Sequence, residues 1–280
     1  DVCIKRKIRN RLMQRYSELK DKEQDGQSVF VQSDDNKLDD YPSLRSRAEG
    51  VLKNVDMSDG KKYREAACKE WIDVRAFGQV FAYKAGGKKS KKAKEAADGG
   101  EEKSEDASVS IGIRGPVSIH PAFSVVPVND RVSSMQITKS VSGEGDGKKK
   151  ASDTMGMKHR VDHGVYVFYG SMNPQLAALP SGTGFSDKDA EAIKEALKTL
   201  FVNDASSARP EGSMEVCKVY WWEQETVKYS SAKVHRSVES KVRVNDEIAE
   251  PKSINDYHTP DKSELEKESP GLKVEIIDGV

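Results

Sequence analysis

Apolar residues recur four positions apart at the start of the chain, at Ile4, Ile8 and Leu12. Residues with this spacing fall on one face of a helix, because four residues make slightly more than one turn. A parallel row of basic residues runs beside them, formed by Lys7, Arg11 and Arg15. The pattern predicts a helix over residues 1–20 with one packed face and one cationic edge.

Further along the chain the pattern changes to runs rich in Val, Ile and aromatic residues, which is typical of strands. Six such runs are bounded by Gly, Pro or Asn: residues 72–83, 109–119, 132–141, 161–170, 215–222 and 234–244. We expect most of them to form antiparallel sheet. A second helix is predicted from the N-cap Ser186 to about Asn203, because Ile193, Leu197 and Leu200 have helical spacing.

The order of these elements predicts the fold class. A basic helix, several strands, an amphipathic helix and a closing strand indicate an α+β protein of ferredoxin-like type rather than a doubly wound sheet. Two polar segments interrupt the strands. Residues 86–108 are dominated by Gly, Lys, Ala, Glu and Asp and predict a disordered surface insertion, and residues 142–152 predict the tip of a long hairpin.

Composition narrows the class of protein. Hydrophobic residues make up 36% of the 280, enough to bury a core, and no stretch is apolar over the length of a membrane span. The three cysteines, Cys3, Cys68 and Cys217, are an odd number at wide spacing, with no paired motif that would indicate a disulfide framework or a zinc knuckle. We therefore expect a cytoplasmic protein without a membrane segment. The chain begins at Asp1 without a methionine, so we expect that an upstream segment is missing.

The 46 basic and 46 acidic residues cancel, but they are unevenly distributed. Residues 1–20 contain seven basic and two acidic side chains, whereas residues 245–280 contain four basic and ten acidic ones. A row of Lys and Arg can neutralise phosphates and release counterions, so the first helix is a candidate for binding a polyanion. A solvated helix face is the commoner explanation of such a row.

Enzyme motifs are missing from the sequence, which has no GxGxxG, GxxxxGK[ST], GxSxG or HExxH pattern. His159 and His163 are four apart, but no third metal ligand follows at a suitable spacing, so structural histidines are favoured. Ser206, Ser207 and Arg209 lie in a predicted loop, where loop caps or phosphate contacts are favoured over a serine nucleophile. We expect no catalytic site, no metal site and no cofactor.

The predicted hairpin mixes apolar and basic side chains. They are Gln136, Thr138 and Lys139 on one strand and Met155, Met157, Lys158, His159 and Arg160 on the other. Cations can hold phosphates while a bulky apolar side chain fills the gap at an unstacked base step. The hairpin is therefore either a nucleic-acid contact or an arm that binds a protein partner.

Six segments carry a resemblance to a known family. They are DVCIKRKIRN (1–10), WIDVRAFGQVFAY (71–83), IGIRGPVSIHPAFSV (111–125), QITKS (136–140), MGMKHRVDHGVYVFYG (155–170) and NDASSARPEGSMEVCKVYWW (203–222). Together they closely resemble the Csd-type backbone subunit of the type I-C CRISPR surveillance complex, Cascade, within the RAMP superfamily. The resemblance covers the chain from residue 1 to about Arg236.

The resemblance implies a modified RNA-recognition (RRM) palm over residues 1–244, with fingers at about 21–70, the 86–108 insertion and a thumb at 115–160. Residues 245–280 then form an acidic C-terminal segment. Such subunits are not catalytic. They polymerise along the CRISPR RNA, hold it by its backbone, contact other Cascade subunits and present the guide for pairing with target DNA in antiviral defence.

The resemblance also assigns candidate RNA contacts. They are Lys5, Arg6, Lys7 and Arg9 on the first helix, Gly78 in the AFGQ turn, Gln136, Thr138, Lys139, Met155, Met157, Lys158 and His159 in the thumb, and Ser206, Ser207 and Arg209 in the ASSARP loop. The two methionines are candidate wedges. Arg209 is the preferred contact outside the helix, because its guanidinium can fork to a phosphate.

Three features depart from the family pattern. Its members normally carry a strand and a glycine-rich loop ahead of the first helix, so the first sheet strand is expected to be missing here. The 86–108 insertion is unusually long and biased, and His163 stands where an aromatic residue is expected.

Two other functions stay open at this point. Type III relatives of this fold cleave RNA with a divalent metal, which makes a ribonuclease the first alternative. The second is a monomeric module that binds single-stranded RNA without polymerising.

Overall fold

The computed structural model describes residues 2–56, 58–83, 109–128, 131–139, 154–178, 180, 182–206 and 208–280. The helices are α1 (Val2–Glu18), α2 (Leu44–Val51), α3 (Gly60–Glu70), α4 (Ile72–Phe77), α5 (Pro174–Ala177), α6 (Asp187–Lys198), α7 (Ser231–Glu239) and α8 (Lys262–Glu268). Short 3-10 turns cover Asp21–Glu23, Asp34–Asn36 and Ile254–Asp256. The 86–108 insertion and the 142–152 hairpin tip lie outside the described residues.

The strands are β1 (Gly78–Tyr83), β2 (Val109–Arg114), β3 (Val117–Ile119), β4 (Phe123–Ser124), β5 (Val132–Lys139), β6 (Thr154–Val161), β7 (Tyr166–Val167), β8 (Gly170–Met172), β9 (Lys218–Glu223), β10 (Arg243–Val244), β11 (Tyr257–His258) and β12 (Lys273–Asp278). They pair two by two, as β1–β2, β3–β8, β4–β7, β5–β6, β9–β12 and β10–β11. The mixture of helices and small antiparallel sheets confirms the α+β class. The ferredoxin-like or RRM arrangement stays a prediction.

The chain divides into two compact units. Unit 1 comprises Asp1–Ile119, Gly170–Val216 and Asp278–Val280, and unit 2 comprises His120–Tyr169 and Cys217–Ile277. Residues 217–277 belong together to unit 2, and the predicted division of the chain at residue 244 stays a prediction.

Unit 1 confirms the N-terminal helix. The stripe formed by Ile4, Ile8 and Leu12 is buried, and α1 packs against α6. A second core in the same unit is built on aromatic rings: the Phe30 centroid lies 4.6 Å from that of Trp71 and 5.2 Å from that of Phe81. Burial of these large side chains is the main stabilising contribution to this part of the fold.

Unit 2 has a smaller core where α7, α8, β9 and β12 meet. Val238, Leu265 and Val274 are buried there, with Tyr220 and Trp222 packed against them. Because residues two apart in a strand face the same way, Tyr220 and Trp222 lie together and their rings stack at 6.0 Å.

The strand predicted at residues 72–83 is wrong in its first half, which is the helix α4. The β-branched residues of WIDV favour a strand locally, but tertiary contacts override that preference. Asp73 on α4 accepts hydrogen bonds from the backbone N–H groups of Phe30 (2.7 Å) and Val31 (3.1 Å). The helix ends at Gly78, whose φ of +79° suits glycine.

The strand predicted at residues 234–244 is also wrong over most of its length. Residues 231–239 form α7, and only Arg243–Val244 are extended. Val234 and Val238 are four apart and both buried, which is helical rather than strand periodicity. The overlooked signal is the N-cap Ser230, whose side chain accepts a hydrogen bond from the Lys233 N–H.

Two further predicted strands are interrupted, and one helix is shorter than expected. Residues 109–119 split into β2 and β3 around Pro116, and residues 161–170 contain β7 and the start of β8. A proline cannot donate to a strand ladder, which accounts for the first break. The second predicted helix ends at Lys198, ahead of Asn203, whose φ is +55°.

The predicted hairpin is confirmed over its described residues. Three strand pairs, β3–β8, β4–β7 and β5–β6, are nested in the same two runs of chain. The pair closest to the predicted tip is β5–β6, in which Val132–Lys139 pairs with Thr154–Val161. Within the described part of the chain, no helix is both long and apolar enough to cross a membrane.

Candidate nucleic-acid interface

The basic helix α1 is joined to the ASSARP loop by an ion pair. The Lys7 ammonium donates to the Asp204 carboxylate, and the two side chains are only 4% and 10% exposed. Asp204 immediately precedes the loop that carries Ser206 and Arg209. Two segments that the sequence analysis singled out separately are therefore adjacent in the folded chain.

Arg9 joins α1 to α4 in the same way. Its Nε lies 2.9 Å from Oδ2 of the buried Asp73, and its guanidinium carbon lies 5.1 Å from the centre of the Phe77 ring. Phe77 and Gly78 belong to the AFGQ turn. Arg9 is thus held by a carboxylate and an aromatic face rather than extended into solvent.

The basic residues along the predicted cationic edge of α1 have partners within the protein. Lys7 pairs with Asp204, the Arg11 Nε donates to Thr199 Oγ1 at 2.9 Å, and an Arg15 Nη donates to Gln27 Oε1 at 3.1 Å. These hydrogen bonds turn the row toward the protein. Helical periodicity could not predict them, because the partners lie in other segments of the chain. Arg6 is exposed and Lys5 is half-buried, so these two present basic groups at the surface.

Gly78 is a point of contact between two pieces of backbone. A Cβ at this position would overlap the carbonyl oxygen of Ile113 and lie 2.7 Å from the backbone nitrogen of Gly115. Gly115 is equally restricted, because a Cβ there would overlap the carbonyl oxygen of Ala76. The close approach at Gly78 is therefore made to another segment of the same chain, where it joins α4 and β1 to the turn between β2 and β3.

The ASSARP loop forms a tight turn. Ser206 and Arg209 exchange backbone hydrogen bonds at 2.7 and 3.0 Å, and the Ser206 hydroxyl also accepts from the Arg209 N–H at 3.2 Å. Within the described part of the chain, the buried Arg209 Nε has no hydrogen-bond partner. It lies in a shallow pocket with Phe201 and Met214. Ser207 lies outside the described residues.

The register of β5–β6 sorts the thumb candidates into two faces. Gln136 is paired with Met157, and Ser134 with His159, so these four share one face. The Ser134 Oγ lies 2.7 Å from His159 Nδ1 on that face. Lys158 lies on the other face, opposite Met135. The remaining candidates are known by strand pairing alone: Thr138 with Met155, and Lys139 with Thr154.

Both faces of this hairpin are open to solvent. Met135 and Met157 are 41% and 57% exposed, one on each face. Apolar exposure on both sides of a two-stranded ribbon is typical of an arm that is covered by a partner.

The sequence analysis did not identify Asp162, a carboxylate at the end of the β5–β6 hairpin away from its tip. Asp162 accepts from Ser133 and, at 2.7 Å, from the Arg160 Nε. These hydrogen bonds hold the pKa of Asp162 below its usual value. Arg160 is therefore paired within the hairpin.

The acidic partners of the basic helix were also missed, although both lie in segments that had been noted. Asp73 is part of WIDVR and Asp204 is part of NDASSARP. Charge counts over residues 1–20 could not detect them, because they are 64 and 197 positions away from their partners. Within the described residues, no group of three or more His, Cys, Asp or Glu side chains is arranged to hold a metal ion.

Comparison with known proteins agrees with the resemblance at the level of the family. A search of curated proteins finds no match. Residues 1–260, nearly the whole chain, match the family described as CRISPR-associated protein Cas7. The chain therefore belongs to the Cas7 family of CRISPR-associated proteins, which are backbone proteins of the RAMP type.

Proposed function

We propose that this chain is the non-catalytic backbone subunit of a type I-C Cascade complex. In this role several copies polymerise along one CRISPR RNA and present it for pairing with target DNA, alongside other Cascade subunits. The observation that carries the proposal is the Lys7–Asp204 ion pair, which joins the basic helix to the loop bearing Arg209. Family membership supplies the CRISPR context.

The charge arrangement supports binding to the RNA backbone rather than to base edges. Arg6 is exposed on α1, and the adjacent Lys7 contacts the segment that leads into the ASSARP loop. In that loop the Arg209 Nε–H donates to no acceptor among the described residues. Guanidinium and ammonium groups bind phosphate oxygens of any sequence. Sequence selectivity is then left to base pairing by the guide.

Polymerisation is supported by the exposed hairpin β5–β6. An isolated two-stranded ribbon is marginally stable in water, and this one carries exposed apolar side chains on both faces. A neighbouring copy on the same RNA would cover those side chains. We propose that the hairpin contacts the RNA together with the next subunit, which favours a filament over a monomeric module.

The cellular compartment is proposed on the chemistry of the cysteines. Cys3, Cys68 and Cys217 form no disulfide among the described residues. Thiols outside disulfides persist in a reducing environment, so we place the protein in the cytoplasm.

The test is assembly of the full chain with a repeat–spacer RNA and its partner subunits. Particle mass and the number of nuclease-protected segments are expected to grow in regular steps as the spacer is lengthened. A single footprint that ignores spacer length would overturn the filament in favour of the monomeric module. Cleavage of the bound RNA on adding Mg²⁺ or Mn²⁺ would overturn the non-catalytic role.

A charge-matched pair of variants sharpens this test. Lys5→Glu/Arg6→Glu reverses two basic residues at the surface of α1 and is expected to abolish assembly and flatten its salt dependence. Lys61→Glu/Lys62→Glu makes the same change in charge on the exposed face of α3. Equal loss of assembly in both variants would show a general charge effect and would remove α1 from the interface.

A further inference from the structure

Unit 2 contains an open groove beside helix α7. The groove holds about 620 Å³ of empty space, including the part open to solvent. Its chemically distinctive lining consists of four rings and two charged groups, which are His120, Phe123, Tyr169, His235, Arg236 and Glu239. The sequence analysis assigned no role to any of them.

The rings form a wall that is packed at one end and uncovered at the other. Tyr169 and His235 lie face to face with centroids 4.9 Å apart, and His120 meets His235 edge-on at 5.5 Å. Phe123 is 71% exposed, so most of its side chain is in contact with water in the single chain. An exposed aromatic side chain at the edge of a groove is typical of a surface that a protein partner covers.

Two opposite charges lie on the α7 side of the groove. Arg236 and Glu239 are three positions apart and exposed, whereas Val234 and Val238 anchor the other side of the helix in the core. Within the described part of the chain, neither charged side chain makes a hydrogen bond or an ion pair. This arrangement favours a partner that offers one cation and one anion at a similar spacing.

The wall also contains a hydroxyl that lacks a partner. Among the residues that the structure describes, the buried Tyr169 hydroxyl makes no hydrogen bond. Burial and, after it, the nearby charge of Glu239 raise the pKa of Tyr169 to about 12, so the hydroxyl keeps its proton at neutral pH. Buried hydroxyls without partners are uncommon in folded proteins. The groove of the single chain is therefore an incomplete surface.

We propose that two copies of this chain pair through the groove about a two-fold axis. In such an isologous contact the same residues meet from both sides, so a helix that carries opposite charges is complementary to itself. Arg236 of each copy pairs with Glu239 of the other, and the Phe123 ring of each copy is covered by the groove of the other. This contact closes at two copies, whereas the contacts of a filament stay open.

A second copy fits the groove better than a partner of one charge. A purely basic partner would place like charge against Arg236, and a purely acidic one would do the same to Glu239. A second copy supplies both charges and an apolar ring. One groove and one short helix offer less area than the about 1,600 Å² of a standard interface, so the association is expected to be weak and concentration-dependent.

Sedimentation equilibrium of the full chain without RNA tests the charge pair. We expect a monomer–dimer equilibrium that ends at two copies. Arg236→Glu brings like charges together across the axis and is expected to raise the dissociation constant at least about tenfold. The double variant Arg236→Glu/Glu239→Arg should restore it. Lys262→Glu reverses a 63% exposed charge on α8 of the same unit and is the matched control, which should leave the dissociation constant unchanged.

A second pair of variants tests the apolar part of the contact. Phe123→Ala is expected to raise the dissociation constant about tenfold, whereas Val227→Ala, at an 89% exposed residue of the same unit, should not change it. The replaced side chains are exposed in the single chain, so the fold is preserved, and thermal unfolding of dilute protein checks this. In NMR spectra the ring signals of His120 and His235 should shift with protein concentration, while those of His258 stay fixed.

Three results would overturn the proposal: a monomer at every concentration, growth beyond two copies, or equally strong dimers of the wild type, Arg236→Glu and Phe123→Ala. Failure of Arg236→Glu/Glu239→Arg to recover the dimer would likewise overturn the reciprocal pairing. Because these measurements contain no RNA, they do not depend on the proposed function. Assembly on repeat–spacer RNA is measured separately, so neither result decides the other.

Discussion

Lys7 on α1 and Asp204 after α6 form an ion pair that spans 197 positions of sequence and is almost completely buried. The pair connects α1, the most basic of the described helices, to a loop that carries three candidate RNA contacts. It also means that Lys7 has a structural role in the free protein, whatever it contacts in a complex. Experiments on the interface therefore have to separate folding from binding.

A charge swap separates the two roles. Lys7→Asp or Asp204→Lys alone leaves a buried charge without its partner and is expected to destabilise the protein by about 3–5 kcal/mol. The double swap Lys7→Asp/Asp204→Lys restores opposite charges and should recover part of that loss. Urea unfolding of the four proteins gives the coupling energy. Additive losses in the double variant would contradict the ion pair.

The backbone contact at Gly78 predicts that two glycines of the pair β1–β2 differ in how much stability is lost when each is replaced by alanine. Gly78→Ala forces a Cβ against the carbonyl of Ile113 at a φ of +79° and is expected to cost more than about 2 kcal/mol of stability. Gly112→Ala on β2 meets nothing within 4 Å and should change stability by less than about 1 kcal/mol. Thermal unfolding measures both. Similar melting temperatures for the two variants would refute the contact.

The buried pair of Arg75 and Asp189 predicts a defined acid sensitivity. Arg75 holds Asp189 through two hydrogen bonds, of 3.0 Å from Nε and 2.7 Å from Nη2. Burial by itself raises the pKa of Asp189, but the hydrogen bonds and charge of Arg75, together with hydrogen bonds from Ser186, outweigh it and lower the pKa below its usual value. A depressed folded-state pKa contributes stability above the unfolded value and loses it as the pH falls through the folded value.

We therefore expect the contribution of Asp189 to be complete above about pH 5 and to fade below about pH 4. Asp189→Asn removes this carboxylate, so the stability difference between wild type and variant should shrink as the pH is lowered. Urea unfolding from pH 3 to pH 7 measures that difference. A difference that is constant across this range would contradict the lowered pKa.

The exposed hairpin predicts an assembly defect without a folding defect. Met157→Ser replaces a side chain that is 57% exposed, so monomer stability should change by no more than about 0.5 kcal/mol. If the hairpin is covered by RNA or by a neighbouring copy, the yield of particles on repeat–spacer RNA should fall. Val227→Ser, at a residue that is 89% exposed outside the hairpin, is the matched control. Equal yields from both variants would remove Met157 from the contact.

The exposure of Cys3 and the burial of Cys68 predict that the two thiols react with an alkylating reagent at different rates. Burial raises the pKa of the Cys68 thiol to about 11, so little of its reactive thiolate is present at pH 8, whereas Cys3 is exposed on α1. Alkylation with iodoacetamide at pH 8, followed by peptide mass spectrometry, should label Cys3 quickly and Cys68 only after unfolding. Rapid labelling of Cys68 in the folded protein would contradict its burial.

The sequence predicted those elements whose signal is local. The apolar stripe of α1, the capped start of α6 and the hairpin β5–β6 were all recognised, because periodicity and turn residues act over a few positions. The helices α4 and α7 were mistaken for strands because their β-branched residues favour a strand locally, and tertiary contacts override such weak local preferences.

Family membership also followed from sequence alone, because several long motifs coincide with one family. The environment of each candidate residue could not be predicted from sequence. Helical spacing predicted that Lys7, Arg11 and Arg15 form one basic edge, but each of them contacts a partner from another segment of the chain. The close backbone contact of Gly78 with Ile113 and Gly115 likewise joins residues far apart in sequence. Local pattern decides which elements form, whereas long-range packing decides which of their side chains remain available to a ligand.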